Sequence, residues 1–182
     1  MLFCSLLKIN AMSSAAHNLS DYESSRIPSG EGLKIGIVVS QWNEEITGAL
    51  LQGCRDTLLA HEVKEENMSV ITVPGSFELP MGAKILLGQQ ALDAVICLGC
   101  VVTGETKHNE YISNAVAQGL MMLGVASGTP CIFGLLTPDT QQQALDRAGG
   151  KYGNKGVEAA TTALQMAGLK TQLRKSKTRI GF

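Results

Sequence analysis

Among the residues able to do chemistry, His108 keeps the most informative company. It closes a loop, Thr103-Gly104-Glu105-Thr106-Lys107-His108, that follows an apolar run at 94–102. The loop precedes a stripe of Ile112, Ala115, Val116, Gly119, Leu120 and Leu123. The run is valine-rich and too short for a membrane span, as a fully buried strand should be. The later spacing of i, i+3, i+4, i+7 is the apolar face of a helix. A glycine-containing loop that opens a helix offers unpaired N–H groups and the positive end of a dipole, which suits a phosphate. A histidine on the same loop can carry a proton near neutral pH. Phosphate seat and proton carrier together mark the expected reaction centre.

Other candidates each have a bland reading beside the functional one. Trp42, the only tryptophan, falls in a loop and is either a hydrophobic staple or a stacking platform for a flat heterocycle. Glu78 either charges a helix N-terminus or accepts hydrogen bonds from sugar-like hydroxyls. Arg147 and Lys155 fall on the last two helices, where a solvated face is the default. Cys97-x-x-Cys100 looks like a metal or redox pair. Both thiols lie inside a strand, however, where i and i+3 face opposite sides of the sheet, so core packing is the better reading. Gly149-Gly-Lys-Tyr-Gly-Asn-Lys-Gly156 lacks the Gly-Lys-Ser/Thr ending of a P-loop and no strand precedes it. No G-x-G-x-x-G follows the first strand, which argues against a nucleotide cofactor.

The elements that must position these groups alternate along the chain. Residues 33–39 form a buried strand. Asn43 is the expected N-cap of the next helix, with Glu44 and Glu45 in its first turn. Ile46, Ala49, Leu50, Gly53, Cys54, Thr57 and Leu58 form its apolar stripe. Residues 69–73 are a second strand, and after Pro74–Glu78 comes a helix with Leu79, Ala83, Leu86 and Leu87. Pro80 fits only its first turn. The central stretch supplies the third strand and helix, and residues 130–136 a fourth strand. Helices near 140–148 and 154–168 follow, hinged at Gly149-Gly150. Strands separated by helices predict right-handed crossovers and a parallel sheet covered on both faces. Ligands then bind beyond the carboxyl ends of the strands, at the loops 40–43, 74–78, 103–108 and 137–140.

Composition bounds the rest. A chain of 182 residues is one domain by length. Its net charge of -1 gives no bulk attraction to nucleic acid or membrane. Only 17% of residues are charged, which leaves little polar cover and hints at surface buried in an oligomer. The five cysteines, Cys4, Cys54, Cys97, Cys100 and Cys131, are odd in number and mostly in apolar runs. Reduced thiols packed as small hydrophobes are expected, in a cytoplasmic setting. No apolar run approaches the ~18–20 residues of a membrane span. Residues 1–32 are serine-rich and end in Pro28-Ser-Gly-Glu-Gly32, a linker composition. They are expected to be a flexible or loosely docked arm, with Met12 as an alternative start. Residues 1–7 are apolar, but Lys8 follows at once, a poor signal-peptide core. Residues 33–170 are the expected domain and 171–182 a basic, frayed tail.

Taken together, Val73-Pro-Gly-Ser-Phe-Glu-Leu-Pro80, Gly104-Glu-Thr-Lys-His108 with Glu110-Tyr111, and Arg147-Ala-Gly followed by Gly153-Asn-Lys-Gly156 resemble the 6,7-dimethyl-8-ribityllumazine synthase family. The resemblance covers roughly residues 33–169. It implies a flavodoxin-like α/β/α sandwich with a four-stranded parallel sheet of order 2-1-3-4. It also implies condensation of 5-amino-6-(D-ribitylamino)uracil with 3,4-dihydroxy-2-butanone 4-phosphate, without cofactor or metal, in the penultimate step of riboflavin biosynthesis.

By position, the resemblance puts Trp42 against the pyrimidine, with Asn43 beside it. Ser76, Phe77 and Glu78 hold the uracil substrate, and Cys100, Val101 and Val102 line the ring edge through backbone groups. Glu105 and Thr106 seat the butanone phosphate, with the Glu105 side chain turned away. His108 moves the protons. Phe133 and Arg147 reach a neighbouring subunit's site, Phe133 against the ring and Arg147 onto the phosphate, and Lys155 is an auxiliary contact. The implied assembly is at least a pentamer, with a sixty-subunit shell open because nothing intrudes between Gly149 and Gly156. Riboflavin synthase is a candidate partner.

The chain departs from the family pattern in having Gln41-Trp42-Asn43 for Arg-Phe-Asn, Thr103 for an arginine, and Asn109 for an aromatic residue. Two rivals stand beside the enzyme. A non-catalytic lumazine- or flavin-binding or shell-forming paralogue would need no phosphate seat. A flavodoxin-like signalling module would need an aspartate where Ser40 stands.

Overall fold

The computed structural model describes Ser20 and residues 26–178, with side chains as far as Leu173. The rest of the expected arm, and residues 179–182 of the expected tail, lie outside the described residues. One parallel sheet holds β1 (Ile35–Ser40), β2 (Met68–Val73), β3 (Ala94–Cys100) and β4 (Cys131–Leu136). Its order is β2-β1-β3-β4, as expected. Around it pack α1 (Glu44–Ala60), α2 (Leu79–Gln89), α3 (His108–Ser127), α4 (Gln141–Asp146) and α5 (Lys155–Thr178).

The strand period of two sorts the apolar residues into two cores. Ile35, Ile37, Val39, Ile96 and Leu98 face Ile46, Leu50 and Leu58 of α1 and Ala160, Ala163 and Leu164 of α5. On the opposite face, Val38, Val95 and Cys97 meet Leu79, Ala83 and Leu86 of α2 and Val116 and Leu120 of α3. The middle strands β1 and β3 are buried at every position, while the edge strands expose Thr72 and Phe133. Unbroken apolar runs therefore belong to the middle of the sheet. Each fully buried leucine or isoleucine contributes roughly 1.5–3 kcal/mol. The result is a rigid platform whose strand ends converge on one rim.

Two local expectations need correction. First, α5 does not stop at Gly168. A Cβ there would lie 2.8 Å from Pro28, so this glycine serves a close contact rather than a helix end. The helix continues through residues 169–178, which contain no breaker. Residues 171–178 are thus helical, not a frayed tail. Second, the presumed hinge at Gly149-Gly150 is a small antiparallel hairpin of β5 (Ala148–Gly150) and β6 (Gly153–Asn154). Gly149 and Gly153 take positive φ there, 112° and 87°. The end of the expected arm, by contrast, lies on the fold, in line with the docked alternative. Gly30 N–H donates to the His61 carbonyl at 2.7 Å, and Ile27 packs against the first core. Further upstream, the Ser20 hydroxyl donates to the Asn154 carbonyl at 3.0 Å and accepts from its N–H at 2.5 Å.

Candidate active site

Beyond the carboxyl ends of β1, β2 and β3 opens a cleft of about 870 Å³. Each wall comes from a different loop. After β1, Gln41 N–H donates to the Val73 carbonyl at 2.9 Å and Trp42 N–H to the Pro74 carbonyl at 3.3 Å. The first loop is therefore strapped to the second, and the Trp42 indole is left standing 71% exposed at the mouth.

Asn43 is not the side-chain cap that its type predicts. It sits in the left-handed region, φ 60° and ψ 48°, and makes no side-chain cap bond. Its carbonyl accepts from the N–H groups of Ile46 and Thr47, both at 2.9 Å. Its side-chain amide reaches across to donate to the Cys100 carbonyl at 3.0 Å. Asparagine tolerates this backbone better than most residues, and its amide ties the first loop to the end of β3. That is a bridging role within the wall.

The second loop turns through a 3₁₀ segment, Ser76–Glu78. Glu78 Oε2 accepts from Gly75 N–H at 3.0 Å, so one carboxylate oxygen shapes the loop. The Ser76 hydroxyl is buried and lies 3.4 Å from that of Ser40. Phe77 is 59% exposed and faces the cleft with Trp42. From β3 come Cys100, Val101 and Val102, and from α3 His108, Tyr111 and Ile112. Burial pushes the Cys100 thiol up to about 11, so at neutral pH it is a protonated wall atom rather than a nucleophile.

Of the residues expected at the site, Trp42, Asn43, Ser76, Phe77, Glu78, Cys100, Val101, Val102 and His108 line this one cleft. Glu105 and Thr106 are exposed on the loop between β3 and α3, just before His108. Phe133, Arg147 and Lys155 do not line the cleft of their own chain. Phe133 borders a separate apolar groove of about 740 Å³ with Met121, Val125, Met166, Leu169 and Leu173.

Arg147 and Lys155 meet at the corner of α4, β5 and α5. Arg147 Nη2 lies 2.8 Å from Glu158 Oε1, and Lys155 Nζ lies 3.0 Å from Oε2. Arg147 Nη1 donates to the Tyr152 carbonyl at 3.1 Å. The guanidinium approaches Glu158 Oε1 off the hydrogen-bond direction, leaving that oxygen without a hydrogen bond. Two cations thus share one carboxylate, leaving one positive charge over among these three side chains.

Tyr111 and Ile112 are lining residues that spacing assigned to a motif and to a helix stripe. One turn into α3, they share the face of His108 toward the cleft, a helical-wheel relation visible once α3 is known to begin at His108. Among the described residues, no cluster of His, Cys, Asp or Glu forms a metal site. Nor is any described helix long and apolar enough to cross a membrane.

A family model described as 6,7-dimethyl-8-ribityllumazine synthase matches residues 32–171. Relatives bearing that name are similar over nearly their whole length. One from Porphyromonas gingivalis is 52% identical over 158 residues, covering 87% of this chain and 98% of its own. One from Parabacteroides distasonis is 54% identical over 155 residues, covering 85% and 97% respectively. One from Cytophaga hutchinsonii is 52% identical over 155 residues, again covering 85% and 97%.

Proposed function

The chain belongs to the 6,7-dimethyl-8-ribityllumazine synthase family, and from that premise we propose how its cleft performs the penultimate step of riboflavin biosynthesis. The activity is a transferase reaction. 5-Amino-6-(D-ribitylamino)uracil condenses with 3,4-dihydroxy-2-butanone 4-phosphate, giving 6,7-dimethyl-8-ribityllumazine. The observation that carries the reading is the convergence of Trp42, Phe77, Glu78, the β3 backbone edge and His108 on one cleft.

In our assignment the uracil stacks on the exposed Trp42 indole, a flat π surface for a flat ring. The backbone of Cys100–Val102 meets the ring edge, and the ribityl chain runs toward Ser76 and Glu78. Oε2 of Glu78 is engaged by Gly75, which leaves Oε1 as the acceptor for hydroxyls. The phosphate sits on the loop at Glu105 and Thr106, before the N-terminus of α3, where N–H groups and the helix dipole favour an anion. Glu105 contributes its N–H and turns its carboxylate away, since like charges repel.

The steps are proton transfers. The substrate amine attacks the ketone, and water leaves as the imine forms. Removal of a proton beside the imine expels phosphate and gives an enol. After tautomerisation the ribitylamino nitrogen attacks the remaining carbonyl, and a second water leaves as the ring closes. His108 takes and returns the protons, and holding two substrates in contact supplies much of the rest.

The family generally assembles into oligomers. We assign Phe133, Arg147 and Lys155 to a neighbour's cleft in a pentamer or a larger shell, with Arg147 on the phosphate. The two cations sharing one carboxylate and the absence of these side chains from their own chain's cleft support that assignment. A cytoplasmic setting and association with riboflavin synthase complete the proposal.

The test mixes purified protein with both substrates and follows lumazine absorbance and green fluorescence. Formation well above the uncatalysed background is the expected result. Background-level formation with tight binding of lumazine or flavin would instead favour the non-catalytic paralogue.

A further inference from the structure

The loop 104–108 has no side-chain cap of its own. Lys107, at the N-cap position of α3, makes no capping hydrogen bond. What holds the loop is a chain of contacts across its base. Thr103 N–H donates to the Pro138 carbonyl at 2.9 Å. The Thr103 hydroxyl lies 3.3 Å from both that carbonyl and Asp139 Oδ1, either of which accepts its proton. On its other side the hydroxyl accepts from the Asn109 side-chain amide at 3.1 Å. Asp139 is anchored in turn, its N–H donating to Gln143 Oε1 at 2.7 Å in the first turn of α4. The start of α3 is thereby tied through Thr103 to the start of α4. The two positions where this chain departs from the family pattern beside the loop are bonded to each other.

We propose that Thr103 and Asn109 are positioning residues. Their hydrogen bond clamps the loop 104–108 at its base, setting the spread of the backbone N–H groups before α3 and the placement of His108. The clamp acts through the loop and touches no reacting atom. Its functional consequence rests on the reading above, in which this loop seats the substrate phosphate.

The test uses the full chain and three variants. Thr103→Val deletes the hydroxyl at nearly constant volume, Thr103→Ser retains it, and Asn109→Ala removes the amide. Hydrogen exchange of residues 104–108, measured without substrate, reads the clamp directly. Faster exchange is expected in Thr103→Val and Asn109→Ala, and exchange like the parent in Thr103→Ser. In turnover, Asn109→Ala should raise KM for the phosphate substrate about two- to tenfold, the worth of one hydrogen bond. Thr103→Val, which also removes the hydroxyl's bond to residues 138–139, should raise it at least as much. KM for the pyrimidine should be nearly unmoved in both. Asn109→Ala should add nothing on top of Thr103→Val, since the latter already removes the bond that Asn109 makes. Unchanged exchange in Thr103→Val, or losses that add in the double variant, would overturn the clamp. Inorganic phosphate judges the seat separately. If it neither slows exchange at 104–108 in the parent nor competes with the phosphate substrate, the seat is wrong while the exchange result still decides the clamp.

Discussion

The cleft beyond β1–β3 and the corner where α4, β5 and α5 meet both carry groups the sequence pointed to, yet they are built in opposite ways. In the cleft the functional side chains face open space, with Trp42 71% and Phe77 59% exposed and His108 at the rim. In the corner they face one another, Arg147 and Lys155 sharing Glu158. Exposed aromatics next to backbone edges form a surface complete within one chain. Two cations that share one carboxylate on their own chain are pre-oriented and only partly offset, which suits a contact delivered to another molecule. The difference supports the proposed division of the site into two halves, one ready in each chain and one aimed outward.

Breaking the ready half should cost most. His108→Ala is expected to lower turnover by roughly ten- to a thousandfold, toward the low end if positioning of the substrates dominates. An unchanged rate would remove His108 from the mechanism. The two-halves comparison is sharpened by co-assembling His108→Ala chains with Arg147→Ala chains. If Arg147 serves a neighbour, about a quarter of the sites in a random mixture regain both groups, because a head-to-tail interface pairs unlike surfaces. Activity no greater than the sum of the separate variants would place Arg147 in its own chain's site. By itself, Arg147→Ala should raise KM for the phosphate substrate about ten- to a hundredfold, as loss of a charge-assisted contact does. KM for the pyrimidine should move far less. Equal effects on both would mean that the corner's loss had collapsed a subunit interface.

The smallest expected effect concerns the platform under both halves. Burial pushes the Cys54 thiol up to about 12, while an unfolded thiol ionises near ~8.5. Below that pH both states hold the proton and the contribution to stability is complete. As pH rises the unfolded chain loses its proton first, so stability declines until the folded thiol ionises as well. The urea midpoint of the parent should therefore fall between about pH 9 and 11, and less steeply in Cys54→Ala. Identical slopes in the two proteins would show that this thiol is not linked to folding.

How much was legible follows the same division. The sheet and its order, the strand–loop–helix at 94–127 and most of the cleft wall could be read in advance. Unbroken apolar runs at 94–102 and helical stripes such as Ile112 to Leu123 have few other solutions in a parallel sheet. Single residues with two uses were harder. Asn43 has the composition of a cap, but its amide is drawn to the Cys100 carbonyl, a partner 57 positions away. Gly168 looks like a helix stop and is instead a contact point for Pro28. Arg147 and Lys155 look like solvated charges taken singly, although Glu158, three residues beyond Lys155 on the same helix, is a partner that spacing offers. Tertiary partners at long sequence separation decided Asn43 and Gly168, and spacing holds no record of them.

Trp42 has one more consequence. As the only indole in the chain, it makes the protein its own optical reporter of occupancy. A heterocycle stacked against it should quench its emission, so binding can be titrated without label and apart from turnover. The same placement makes indole emission a poor gauge of unfolding. The ring already meets water in the native state, and the chain could lose its core with little change in the colour of its light.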